Sequence, residues 1–162
     1  MRVARTLDGL SVDLASEEDT ARLGCALADV VEPGVVIGLV GPLGAGKTRL
    51  VRAIAETLGV DPEAISSPTF VLIQEYDGRL PVYHFDAYRL PAPGAFEDLG
   101  VADYWKSGGV SLVEWADRVS ALLPDDCWTI TLRPTGPTAR SVRIDLPAAH
   151  RHLADRLAER LA

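Results

Sequence analysis

The segment Gly41-Pro-Leu-Gly-Ala-Gly-Lys-Thr48 constrains this chain more than any other feature. It fits the pattern G-x-x-x-x-G-K-[ST] and sits between two contrasting stretches. Before it, residues 35–40 read Val-Val-Ile-Gly-Leu-Val, a continuous apolar run suited to a strand buried on both faces of a parallel sheet. After it, Leu50, Val51, Ile54, Ala55 and Leu58 mark one helical face, which Gly59 stops. Each position of the loop has a physical task. Glycines let backbone N–H groups curl around phosphate oxygens, and the helix N-terminus adds its dipole. Lys47 reaches the β- and γ-phosphates as a compact charge, and the Thr48 hydroxyl ligates magnesium. In a chain of this composition the pattern arises by chance roughly once in a thousand cases.

The rest of the chain builds around that unit. Ser16-Glu-Glu-Asp19 reads as a capping box, with Ser16 as N-cap of a helix that carries Leu23, Leu27 and Val30 to about residue 32. Residues 70–76 and 80–85 are strand-like and flank Asp77-Gly78-Arg79, a hairpin signal. Residues 90–96 read as a loop rich in Pro, Ala and Gly. Residues 110–113 form a short buried strand. Residues 128–132 and 141–146 form a second antiparallel pair joined through Arg133-Pro-Thr-Gly-Pro137. The tail, 148–161, is an amphipathic helix with Leu153, Leu157 and Leu161 in one line. The expected fold is α/β: a parallel central sheet of the phosphate-loop nucleoside-triphosphatase type, extended by antiparallel strands, with helices on both faces. A length of 162 residues suits one domain, residues 1–162.

Composition excludes several classes. The 48% apolar content rules out a disordered chain. With 16 basic and 23 acidic side chains the net charge is -7, which argues against unaided nucleic-acid binding. The longest apolar run is far shorter than a membrane span, and the N-terminus has no apolar signal core. Cys25 and Cys127 make no metal or disulfide pattern, and Cys25 is expected to be a buried thiol on an apolar helical face. A reducing, cytoplasmic setting follows. The chain contains no Asn, so it carries no guanine-reading N-K-x-D motif, and no D-x-x-G occurs. ATP is the expected nucleotide.

The loop needs an acid near the magnesium, at the end of a neighbouring strand. Asp86 ends Val82-Tyr-His-Phe-Asp86, and Glu114 ends Val110-Ser-Leu-Val-Glu114. Glu114 follows the more apolar stretch, so it suits a central strand. The bland alternatives are a helix-initiating acid for Glu114 and a turn acid for Asp86. His84 shares a strand face with Asp86 and is either structural or functional. Ser66-Ser-Pro-Thr69 is either a Ser-Pro turn or a switch in which Thr69 senses the γ-phosphate.

Four motifs, Gly41 to Thr48, Ser67-Pro-Thr-Phe70, His84-Phe-Asp-Ala-Tyr-Arg89 and Leu112-Val-Glu-Trp115, together resemble the TsaE (YjeE) family of bacterial ATPases. Asp98-Leu-Gly100, Asp103-Tyr104 and Leu123-Pro-Asp125 extend the resemblance over residues 14–146. It implies an accessory ATPase in threonylcarbamoyl modification of adenosine in tRNAs reading ANN codons. Such proteins bind ATP and Mg2+, hydrolyse slowly alone, and act with TsaB and TsaD, touching tRNA only through that complex. Carried onto this chain, Gly41, Gly44, Ala45, Gly46, Lys47 and Thr48 would hold phosphates, and Thr48 and Glu114 the metal. Thr69 and Asp86 would lie near the γ-phosphate, and Ser16 and Gly136 would meet the nucleotide. Lys47, Asp86 and Thr69 would be the catalytic set for attack of water. The proline-rich Pro91-Ala-Pro-Gly94 and the tail beyond Pro147 depart from the family pattern. Two rival readings are a small-molecule kinase, for which the chain shows no Arg-rich lid, and an ATP-gated binding module without a catalytic role.

Overall fold

The structure, a computed structural model, describes residues 1–65 and 72–162. Eight strands form one sheet among these residues: β1 (Arg2–Arg5), β2 (Gly9–Leu14), β3 (Val36–Val40), β4 (Ile73–Tyr76), β5 (Val82–Asp86), β6 (Val110–Glu114), β7 (Trp128–Pro134) and β8 (Arg140–Asp145). Their order across the sheet is β1-β2-β8-β7-β3-β6-β5-β4. The centre is parallel, through β7–β3, β3–β6 and β6–β5. Both flanks are antiparallel: β1–β2, β2–β8 and β8–β7 on one side, and β5–β4 on the other. The expected parallel core with antiparallel extensions is therefore the fold.

Side-chain alternation along the central strands feeds two cores. On one face, Ile37 and Leu39 of β3 and Leu112 of β6 pack with Leu23, Leu27, Leu50 and Ile54. Those last four belong to α1 (Glu17–Val30) and α2 (Lys47–Thr57). On the other face, Val36, Val113 and Phe85 pack with Phe96, Val101 and Val119. Helices thus lie on both faces. The second layer uses α3 (Pro93–Glu97), α4 (Val101–Trp105) and a 3-10 segment, Ala116–Leu122.

Several local expectations hold. Ser16 caps α1, its Oγ accepting from the Asp19 N–H at 3.2 Å. The hairpin at residues 77–79 joins β4 to β5 with Tyr76 opposite Val82. The tail ends in α5 (Leu153–Leu161), and Leu153, Leu157 and Leu161 are all buried in the α1–α2 core. That stripe packs on its own chain.

Other expectations need correction. Residues 90–96 are not wholly loop: α3 begins at Pro93, whose fixed φ suits the first turn of a helix. Phe96 is thereby delivered edge-on to Phe85, with centroids 5.7 Å apart. The tail is not one helix but a 3-10 turn, Ala148–His150, followed by α5. His150 is half-buried, accepting the Trp128 indole N–H at Nδ1 over 2.9 Å. Cys25 is exposed, not buried. The contact face of α1 is set one residue earlier, at Gly24, where a Cβ would stand 2.4 Å from that of Ala53 on α2. One step along the helix turns Cys25 by about 100° away from that contact. Among the described residues no helix is long and apolar enough to cross a membrane.

Two measurements check this packing. Leu157→Ala should lower unfolding free energy by about 2–5 kcal/mol in urea titrations, because its side chain is fully enclosed. Burial pushes the Cys127 thiol up to about 11. Peptide mapping after brief alkylation at pH 8 should therefore find Cys25 modified well before Cys127.

Candidate functional site

Strand β3 ends at Val40 and the phosphate-loop sequence begins at once. The turn is forced close to the sheet: a Cβ on Gly41 would come within 2.5 Å of the Leu132 carbonyl oxygen of β7. Gly46 sits at φ +101, a left-handed conformation that favours glycine, and serves as N-cap of α2 without any side-chain cap bond. The first N–H groups of α2 therefore point at the cleft with no side chain occupying them.

Lys47, the first residue of α2, is buried. Its Nζ donates to the Gly41 carbonyl at 2.6 Å and the Pro42 carbonyl at 2.9 Å. The same ammonium lies 3.9 Å from the centroid of the Trp115 ring. Burial pushes its pKa down, and the nearby charges of Glu114, Asp117 and Asp86 oppose that shift. The cation is thus stored against its own loop, on weak carbonyl and π partners, within the field of three carboxylates.

Glu114 ends β6, the strand next to β3, with Leu39 paired opposite it. It lies on the same sheet face as Leu112, the α2 side. Its carboxylate is buried and fully engaged: Oε2 accepts from Thr48 Oγ1 at 3.0 Å and Oε1 accepts from His84 Nε2 at 2.8 Å. Against an ionised carboxylate, which only accepts, His84 would present its Nε2–H. Nδ1 of His84 is buried without a hydrogen-bond partner among the described residues. His84 is therefore neither a solvent-facing base nor idle core; it orients Glu114. Asp86 pairs in register with Glu114 from β5 and lines the cleft, its Oδ1 accepting from the Tyr88 N–H at 2.9 Å.

The cleft measures about 430 Å³. Gly44, Ala45, Gly46, Lys47 and Thr48 lie along one wall, and Asp86, Glu114 and Trp115 along another. Ser16 itself caps α1, and its neighbours Glu17 and Thr20 face the cleft. Gly136 is not among the residues that line the cleft; from its turn Thr138 reaches it, with Arg140 following at the start of β8. Thr69 and the Ser67 to Phe70 motif lie outside the described residues. Sequence reading missed Arg140, Arg49 and Tyr88. Only Tyr88 carried a local signal, as part of the motif at residues 84–89.

Trp115 has φ +59, the one positive value for a non-glycine residue among those described. That turn directly after Glu114 lays the indole over Lys47 and against Tyr88, whose ring centroid is 4.7 Å away. A hydroxyl and a carboxylate 3.0 Å apart form a hard-oxygen pair too small to cage a divalent cation alone. Such a pair fits magnesium that arrives with nucleotide phosphates, which supply further oxygen ligands.

Comparison with known proteins agrees with this geometry. A family model described as "Threonylcarbamoyl adenosine biosynthesis protein TsaE" matches residues 14–142. A protein named tRNA threonylcarbamoyladenosine biosynthesis protein TsaE from Treponema pallidum (strain Nichols) is 41% identical over 129 residues, 80% of this chain and 95% of its own. The Bacillus subtilis (strain 168) protein of that name is 40% identical over 126 residues, 77% of this chain and 78% of its own. The crystal structure of Bacillus subtilis YdiB superposes with a TM-score of 0.77 at 32% identity, covering 98% of this chain and 97% of that one. With its phosphate loop set against a strand-end glutamate and a family match over most of its length, this chain belongs to the TsaE family.

Proposed function

We propose that this chain, acting as one domain over residues 1–162, is a magnesium-dependent ATPase serving threonylcarbamoyladenosine formation in tRNA. The pathway follows from the family. The observation that carries the ATPase reading is the Thr48–Glu114 contact, 3.0 Å, beside a stored Lys47 and an uncapped helix N-terminus. A plain glycine turn needs none of these, whereas phosphoryl transfer at a phosphate loop draws on all three.

The residues divide the work as follows. Backbone N–H groups of the 44–48 segment bind the β- and γ-phosphates, all but that of Ala45, which is bound to the Pro42 carbonyl. Lys47 leaves the carbonyls of Gly41 and Pro42 for phosphate oxygens, exchanging neutral partners for anionic ones. Thr48 and Glu114 would hold Mg2+, with His84 fixing the carboxylate; when bound, the ion offsets charge on the phosphates. Asp86, on the adjacent strand end, orients the water that attacks the γ-phosphorus in line, and ADP leaves with the β–γ bridging oxygen. Thr69 is the second candidate for that orientation. The wall carrying Glu17, Thr20 and Thr138 is left for the nucleoside. TsaB and TsaD homologues are the proposed partners. They would supply most of the tRNA contact, which a chain of charge -7 is poorly built to make alone. The setting would be cytoplasmic.

Three measurements test this. Lys47→Ala should reduce ATPase kcat/KM on the order of a hundredfold or more. Glu114→Ala should cripple magnesium-dependent turnover; full magnesium-dependent activity in that variant would exclude Glu114 as the metal ligand. Tryptophan emission should change on adding ATP, because Lys47 must leave the Trp115 ring, and a Trp115→Phe variant should lose most of that response. At the level of the pathway, a strain lacking this gene should have tRNA depleted of threonylcarbamoyladenosine. Restoration by the Lys47→Ala variant would overturn the ATP-dependent reading.

A further inference from the structure

Arg140 stands at the start of β8, beyond any sequence motif, yet its guanidinium joins two loops of the cleft. Nε donates to the Ala45 carbonyl at 2.8 Å and Nη2 to the Gly44 carbonyl at 3.0 Å. These are successive peptides of the phosphate loop. From the opposite edge, Nη1 donates to the Gly136 carbonyl at 3.1 Å and to that of Ala139 at 2.8 Å, in the turn between β7 and β8. Among the described residues no carboxylate pairs with Arg140, so its charge is spent wholly on carbonyl dipoles.

The direction of those bonds matters. A peptide plane carries its oxygen and its N–H on opposite sides, so holding the oxygen decides where the N–H points. The peptide whose oxygen belongs to Ala45 carries the Gly46 N–H, next to the uncapped start of α2. The peptide whose oxygen belongs to Gly44 carries the Ala45 N–H, already bound to the Pro42 carbonyl at 3.0 Å. Gly44 itself is exposed and at φ +75, a residue free to rotate its peptides if nothing holds them. The second pair of bonds ties the turn that carries Thr138 to the same cation. Thr138 in turn donates from Oγ1 to the Ala15 carbonyl at 3.4 Å, beside the start of α1.

We propose that Arg140 is a positioning residue that locks the Gly44 and Ala45 peptides with their carbonyls outward, and holds the β7–β8 turn at a fixed distance from them. It touches no phosphate; it acts through the loop. The role requires the planar fork, since a lysine ammonium at this place could not span both loops. Preorganisation of this kind removes ordering cost from binding, so its loss appears first in nucleotide affinity. The inference rests on the nucleotide-binding reading above.

The test compares the whole chain with its Arg140→Lys and Arg140→Ala variants. Titration calorimetry with ADP and Mg2+ gives Kd, steady-state hydrolysis of ATP gives KM and kcat, and melting without nucleotide reports folding. In Arg140→Lys, which keeps charge and stem, Kd and KM should both rise about tenfold, while kcat falls much less than KM rises. Arg140→Ala should exceed that loss, and Arg140→Lys suffices should the alanine variant not fold. Kd and KM within twofold of the parent chain in Arg140→Lys would overturn the proposal, as would a lowered melting temperature with unchanged Kd, or a fall in kcat alone. Failure of the parent chain to bind ADP or ATP would instead overturn the nucleotide reading, and this inference with it.

Discussion

The parallel register between β3 and β6 is the constraint on which the site depends. Strand β3 is covered on both faces and flanked on both sides, by β6 and β7, so its end cannot shift. The loop leaving it must start where Leu39 meets Glu114. Sheet alternation then turns Glu114 toward α2, and the first turn of α2 brings Thr48 to that carboxylate. A one-residue slip would move the glutamate to the opposite face, among Val36, Phe85 and Phe96, where nothing could satisfy its charge. The cost of burying Glu114 unpaired thus reinforces the register that the apolar residues already favour.

Within that frame the electrostatics are balanced around storage rather than neutrality. Lys47 is buried on carbonyls and an indole, and Glu114 on a hydroxyl and an imidazole. Among the described residues Lys47 meets no carboxylate in a direct pair. Each of the two groups is held by partners strong enough to keep it hydrogen-bonded and weak enough to be exchanged for phosphate or metal. The unusual φ of Trp115 belongs to the same arrangement, since strain immediately after the glutamate is what places the ring over the lysine.

How much of this could be read beforehand differs by element. The phosphate loop, α1 with its Ser16 cap, α2, the β4–β5 hairpin and β6 were legible because local periodicity and turn chemistry agreed. The hairpin of β1 and β2 was missed although Leu10, Val12 and Leu14 alternate and are buried. Its first strand, Arg-Val-Ala-Arg, is too polar and short to declare itself, and it is stabilised by pairing rather than by its own pattern. Helix α3 was hidden by proline and glycine, residues that read as loop until Phe96 is seen to need burial. Cys25 was misplaced because an apolar periodicity fixes a helical face only to within a residue. The tight Gly24–Ala53 contact decided which residue faces inward.

The amino-acid sequence by itself determined the phosphate loop, the pairing of strand and helix around it, and the two strand-end acids that could serve it. These follow from short-range chemistry: glycine freedom, helix periodicity and apolar runs. Tertiary structure alone decided that His84 serves the glutamate and that Arg140, 95 residues beyond Ala45, grips the loop. Those roles depend on strand order, and strand order arises from burial of whole faces, to which no single stretch of sequence has access.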